Sequence, residues 1–147
     1  MKNAVVIHGG GWKKLLDQAV DNESFKDALR SVASIEKVIN YYGMVEQTGS
    51  IYLECDLGFL HTSIYSDVVV RRPKDFSECE VGEPGLLEVL SVIPVSYPGH
   101  ALLTEDIGIL HGRDGCRCGR RGSYFQVLGR APRSEPRGCS DTYAKPA

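Results

Sequence analysis

The sequence predicts an α/β fold with a short strand-helix-helix-strand opening, a β-rich, distorted barrel-like second half and an extended C-terminal tail. Three observations carry this. The apolar run AVVI leads into a Gly-Gly-Gly corner; apolar residues between Trp12 and Asn40 recur at three- and four-residue spacings; and beyond Ser50 glycines and prolines punctuate short runs rich in Ile, Val, Leu and Tyr.

The elements follow in order. AVVI (residues 4–7) is the opening strand. Leu15, Leu16, Ala19 and Val20 line one face of a first helix, and Phe25, Leu29, Val32 and Ile35 line a second, with DNES between them supplying the N-cap. KVINYYG, ending at Gly43, is a strand beside the first. SIYLEC, TSIYSDVVVRR, GLLEVLSVI, ALLTEDIGIL and YFQVLGR are hairpin strands. Residues 1–131 then make one domain, α/β over 1–50 and β-rich over 51–131. Residues 132–147, with three prolines and few large apolar side chains, form a flexible tail.

At 147 residues the chain suits a single domain that needs no disulfide staples. Its net charge of −2 argues for neither a nucleic-acid coat nor a membrane coat. Between Arg113 and Arg137, however, seven arginines face only Asp114 and Glu135, a basic stretch that suits either an anion or plain solvation. The opening apolar run is too short for a secretory leader, and no segment reaches the ~20 apolar residues of a membrane helix, so a cytoplasmic location is expected. Five cysteines without an export signal read as metal ligands, reactive thiols or buried small residues.

HGGGWKK (residues 8–14) raises the question of a phosphate loop. The mononucleotide motif requires spaced glycines and a Lys followed by Ser or Thr; here the glycines are contiguous and no hydroxyl follows Lys13 or Lys14, so that motif fails. Two further stretches, YYGMVEQTG (41–49) and LLTEDIG (102–108), lie about sixty positions apart. Taken singly, each has an ordinary reading as core or turn residues.

In their order, with GGGWKK before them and CRCGR, VLGR and RGCSD after, these motifs resemble those of adenylate-forming enzymes, and within that superfamily the acyl-protein synthetase (LuxE) family, near the phenylacetate-CoA ligases. The resemblance spans nearly the whole chain. It implies ATP-dependent activation of a small or fatty carboxylic acid as an acyl-adenylate, with Mg²⁺, and transfer to a protein cysteine. By the same resemblance Glu46 would hold the magnesium ion, Tyr42 would lie on the adenine, Asp106 would accept from the ribose hydroxyls and Arg130 would face the ribose or a phosphate. Gly10 and Gly11 would let the backbone approach the adenine and acyl group. Two positions depart from the pattern: Val45 stands for a Thr and Glu105 for a Gly. The phosphate loop and lid lysine of such enzymes are not matched here. The resemblance therefore implies a C-terminal part, inactive alone, with a complementing N-terminal half or upstream domain as partner and an acyl-accepting protein such as a reductase beyond it.

The cysteines add a separate argument. Cys55 precedes His61 by six residues, and Cys116 and Cys118 flank one residue. Three thiolates and an imidazole make a closed tetrahedral set for structural Zn²⁺; the plainer reading is buried thiols. Cys139, beside Arg137 in RGCSD, is set for a thiolate and matches the position at which the family resembled here carries the acyl group. A different class of function stays open: a non-catalytic zinc-stabilised binding module whose arginine-rich hairpin meets an anionic partner. Nucleic acid suits it poorly, since only Tyr124 and Phe125 there can stack on bases.

Overall fold

The structure is a computed structural model that describes residues 4–9, 11–12 and 17–132. Strands β1 (Val5–Gly9), β2 (Lys37–Tyr42), β3 (Tyr52–Glu54), β4 (Leu60–His61), β5 (Ser66–Arg71), β6 (Pro84–Ser91), β7 (Ala101–Arg113) and β8 (Ser123–Arg130) form one mixed sheet. Its order is β1-β2-β3-β4-β8-β7-β6-β5, with β1 and β5 at the two edges, so it does not close into a barrel. Helix α1 (Asn22–Ala33) links β1 to β2, which run parallel, as such a crossover requires; all other pairings are antiparallel.

The α/β class and the β-rich second half agree with the sequence. The first expected helix falls largely on residues 13–16, which lie outside the described residues, and residues 19–21 are not helical. α1 starts where DNES predicts: the Asp21 side chain accepts from the Ser24 N–H at 2.8 Å, an N-cap. It stops at Ala33 because Ser34 turns left-handed, φ 52°, and returns its N–H to the Arg30 carbonyl. Val32, expected on the packed face, is 88% exposed.

The core lies in the β-rich half, where Tyr52, Leu60, Val68, Val70, Leu87, Val89, Leu110 and Phe125 meet. β6 shows the cause: along it buried and half-buried residues alternate, as a strand with one face on a core must. Cys79 belongs to this core, and burial pushes its thiol above the ordinary range. β4, only two residues long, joins the halves by pairing with both β3 and β8. No helix among the described residues is long and apolar enough to cross a membrane.

Candidate functional site

The glycine corner sits at the C-terminal ends of β1 and β2, where parallel strands and a following helix leave a crevice. A cavity of about 350 Å³ opens there, lined by His8, Gly9, Trp12, Asn22, Phe25 and Asn40 among others. His8 and Asn40 are register partners on the α1 side of the sheet, and the His8 ring lies 4.7 Å from that of Phe25. Gly9 is obligatory by close approach: a Cβ there would stand 2.7 Å from the Tyr41 ring. Gly11 lines the same cavity with open space around it, while Gly10 lies outside the described residues.

Three of the sequence-predicted residues converge from different strands. The Tyr42 hydroxyl at the end of β2 donates to Asp106 Oδ2 on β7 at 2.7 Å, across 64 positions of sequence. Asp106 is the register partner of Arg130 on β8, whose Nε stands 3.9 Å from Asp106 Oδ1. Thr104 shows why the motif needs a hydroxyl: its Oγ donates to the Leu87 carbonyl at 2.9 Å and accepts the Asp106 N–H at 3.1 Å, fixing the backbone that presents the carboxylate. Burial, with the Asp106 charge beside it, pushes the Tyr42 phenol far up, so it remains a donor at any physiological pH. The Tyr42 ring packs on Tyr52 and, edge-on, on Phe125 at the margin of the core. Arg130 is held by Glu105, the residue standing where the resemblance expects glycine.

Glu46 lies apart from this group, on a 3-10 turn over Val45–Gln47, with its carboxylate exposed. Among the described residues nothing pairs with that carboxylate. Cys139 lies outside the described residues.

The second cluster is assembled by pairing. Ligand atoms of Cys55, His61, Cys116 and Cys118 all lie within 4.8 Å of one another, and the first three residues are buried. Each cysteine element is a tight turn: the Gly58 N–H returns to the Cys55 carbonyl at 2.9 Å and the Gly119 N–H to the Cys116 carbonyl at 3.0 Å. Both glycines take positive φ, 80° and 85°, which other residues adopt only at a cost. His61 arrives from β4, its Nε2 3.4 Å from Cys118 Sγ and its ring stacked on Tyr124. Burial, then the Arg120 charge, pulls the His61 imidazole down, which keeps it neutral; burial raises the Cys116 thiol. For Cys118 burial acts upward, but the Arg120 backbone N–H and the neighbouring thiols outweigh it and favour the thiolate. Tetrahedral ligands at ~2.3 Å from a zinc ion would stand ~3.8 Å apart, so the donor set and its spacing fit such an ion.

The basic stretch is less free than its composition suggests. Arg113 pairs with Asp67 at 2.6 Å, Arg120 donates to the Leu53 and Glu54 carbonyls at 3.2 Å, and Arg130 pairs with Glu105.

This fold is similar to that of a part of adenylate-forming enzymes. It matches apo MatB from Rhodopseudomonas palustris with a TM-score of 0.56 at 17% identity, covering 87% of this chain and 26% of that one. It matches 2-hydroxyisobutyryl-CoA ligase, solved in the postadenylation state with R3-HIB-AMP, with a TM-score of 0.58 at 20% identity, covering 71% and 23%. More narrowly, the chain belongs to the acyl-protein synthetase family LuxE, which it matches over residues 1–146. A long-chain-fatty-acid–luciferin-component ligase of Vibrio harveyi is 27% identical over 145 residues, 95% of this chain but 36% of that relative. The chain thus spans little more than a third of that relative's length.

Sequence reasoning missed His8 and Asn40 in the crevice. The usable signal was positional: both fall near the C-terminal ends of their strands, and two parallel strands of one unit bring such positions side by side.

Proposed function

We propose that this chain is the C-terminal, nucleotide-handling part of an acyl-protein synthetase. Completed by a complementing N-terminal half or upstream domain, it activates a fatty or other small carboxylic acid with ATP. The acyl group then passes to Cys139 and on to an accepting protein such as a reductase. Alone the chain is inactive. The observation that carries the reading is the convergence of Tyr42, Asp106 and Arg130 from three strands.

In the first step a substrate carboxylate oxygen attacks the α-phosphorus of ATP; the new O–P bond forms as the bond to pyrophosphate breaks. Mg²⁺ would supply charge neutralisation on the leaving phosphates, and the exposed Glu46 carboxylate, which no described residue bonds, fits the few protein ligands that this ion takes. Asp106 binds the ribose: a carboxylate has about four acceptor sites, and Tyr42 occupies one. The crevice lined by Asn40, Trp12 and Phe25 receives the base. Arg130, beside Asp106, faces the ribose or phosphate. In the second step the Cys139 thiolate attacks the acyl carbonyl, forming a thioester as AMP departs with the bonding pair. Zn²⁺ at Cys55, His61, Cys116 and Cys118 is structural, since the four ligands leave no open position. The competing reading, an anion-binding zinc module, is less well supported because Arg113, Arg120 and Arg130 are committed to internal partners.

Two measurements test this. Calorimetric titration should show AMP binding the isolated chain more tightly than ATP, and Asp106→Ala should weaken AMP about tenfold, the scale of one lost charge-assisted bond. Unchanged affinity would remove Asp106 from the ribose. With a complementing N-terminal segment, ATP and labelled fatty acid, the chain should gain hydroxylamine-labile label that Cys139→Ser abolishes while pyrophosphate release persists; undiminished labelling would place the acceptor elsewhere.

A further inference from the structure

The turn that carries Glu46 is held far more firmly than an exposed 3-10 turn ordinarily is, and from two sides. On the inner side Gln47 is 1% exposed and all of its amide groups are bonded. Its Nε2 donates to the carbonyls of Val89 and Gly99 at 3.1 and 3.0 Å, and its Oε1 accepts from the Tyr52 hydroxyl at 3.3 Å. On the outer side Tyr97, from the β6–β7 connection, donates its hydroxyl to the Glu46 carbonyl at 2.6 Å and accepts from the Thr48 N–H at 3.4 Å. Within the turn the Gln47 N–H reaches the Met44 carbonyl, the Ser50 N–H the Gln47 carbonyl and the Thr48 hydroxyl the Val45 carbonyl. The residue at the centre, Glu46, is the one whose carboxylate no described group bonds.

Such an arrangement has a physical meaning. A carboxylate meant only for solvation needs no fixed backbone, because water follows it at no cost. A carboxylate that must meet a cation already bound to a ligand gains from a fixed backbone, since the ordering cost is then met during folding and not at binding. Tyr97 is suited to this because it reaches across 51 positions of sequence to a backbone oxygen, yet is itself 40% exposed and contributes little to the core.

We infer that Tyr97 is a positioning residue: its hydroxyl latches the Glu46 turn so that the carboxylate is presented in one place to a divalent cation carried by a nucleotide. This rests on the proposed role of Glu46. Gln47 serves the same turn from below, but its burial makes it a fold determinant as well, so Tyr97 provides the cleaner test.

The test compares wild type, Tyr97→Phe and Glu46→Gln as full chains, by titration with AMP, with ATP in chelator and with ATP plus Mg²⁺. The increment in ATP affinity on adding Mg²⁺ should vanish in Glu46→Gln and fall about tenfold in Tyr97→Phe, while AMP affinity stays within about twofold of wild type in Tyr97→Phe. Amide hydrogen exchange over residues 45–49 should accelerate in Tyr97→Phe without change in β7 or β8. A wild-type chain with no magnesium increment would overturn the role of Glu46 and the latch with it. A full increment in Tyr97→Phe, lost in Glu46→Gln, would overturn the latch alone, as would unchanged exchange in the turn.

Discussion

Metal removal is expected to be the most destabilising single treatment of this protein. Purified without chelator, it should carry about one zinc per chain, and stripping that zinc at neutral pH should cost about 5 kcal/mol or more, a midpoint loss of about 15 °C or more for a domain this size. The size follows from what the cluster joins. Cys55 sits on the turn after β3, His61 on the two-residue β4, and Cys116 and Cys118 on the connection between β7 and β8. Among the described strands, β4 is the one that pairs the first half of the sheet with the second, through Leu60 on Phe125 and His61 on Tyr124. Without the ion, three thiols and an imidazole lose the ligation that ties these elements to one another. The pH dependence has a definite sign: the ligands bind as thiolates and neutral imidazole, so binding releases protons and the stabilisation falls as pH falls. Cys116→Ser should reproduce the loss. A metal-free preparation that melts where the untreated protein does would refute the site.

Glu54→Ala is expected to be the most damaging substitution outside that cluster. Glu54 is 4% exposed, and its carboxylate accepts from Lys26 Nζ at 3.1 Å, from Asn22 Nδ2 at 2.5 Å and from the Asn40 N–H at 3.0 Å. Lys26 is 7% exposed, with Glu23 as its other partner. Removing the carboxylate leaves an ammonium buried beside an exposed partner and two donors unsatisfied, for which about 3–5 kcal/mol is the expected cost. Burial pulls the Lys26 amine down, but the hydrogen bonds and charges of Glu23 and Glu54 outweigh it, so the folded value stands above the ordinary 10.5. The stabilisation carried by the lysine's charge is therefore complete at neutral pH and is lost as pH rises through that raised value. Urea unfolding should show Lys26→Met/Glu54→Leu closer to wild type than Glu54→Ala alone, because apolar residues of similar volume incur no desolvation. A loss below about 1 kcal/mol for the single variant would show that water already reaches the carboxylate. Since Glu54 also holds the Asn40 N–H, the same variant should loosen the end of β2 that leads to Tyr42.

Much of this could be read locally. The N-cap at Asp21, the strand beside the first ending near Gly43 and the hairpin strands of the second half are where propensity and period place them, because caps and alternation act over a few residues. The four clustered cysteine and histidine residues were also legible, since their types and paired spacings carry the chemistry of a closed metal set. β4 was not, because two residues have no period to show. Nor was the burial of Lys26: Val32 is the residue expected inward on α1, and the buried Glu54 that partners the lysine lies 28 positions away.

Local interactions, then, are what the sequence settled alone: which segments are strand or helix, where they begin, and which residue types could serve a nucleotide or a metal. Their assembly was decided elsewhere. That Tyr42 meets Asp106 across 64 positions, that Cys118 meets His61 across 57, and that Tyr97 reaches Glu46 across 51 all depend on strand order. Order is fixed by which faces bury one another and which backbone edges find partners, and those energies are nonlocal: they exist only once the chain has folded back upon itself.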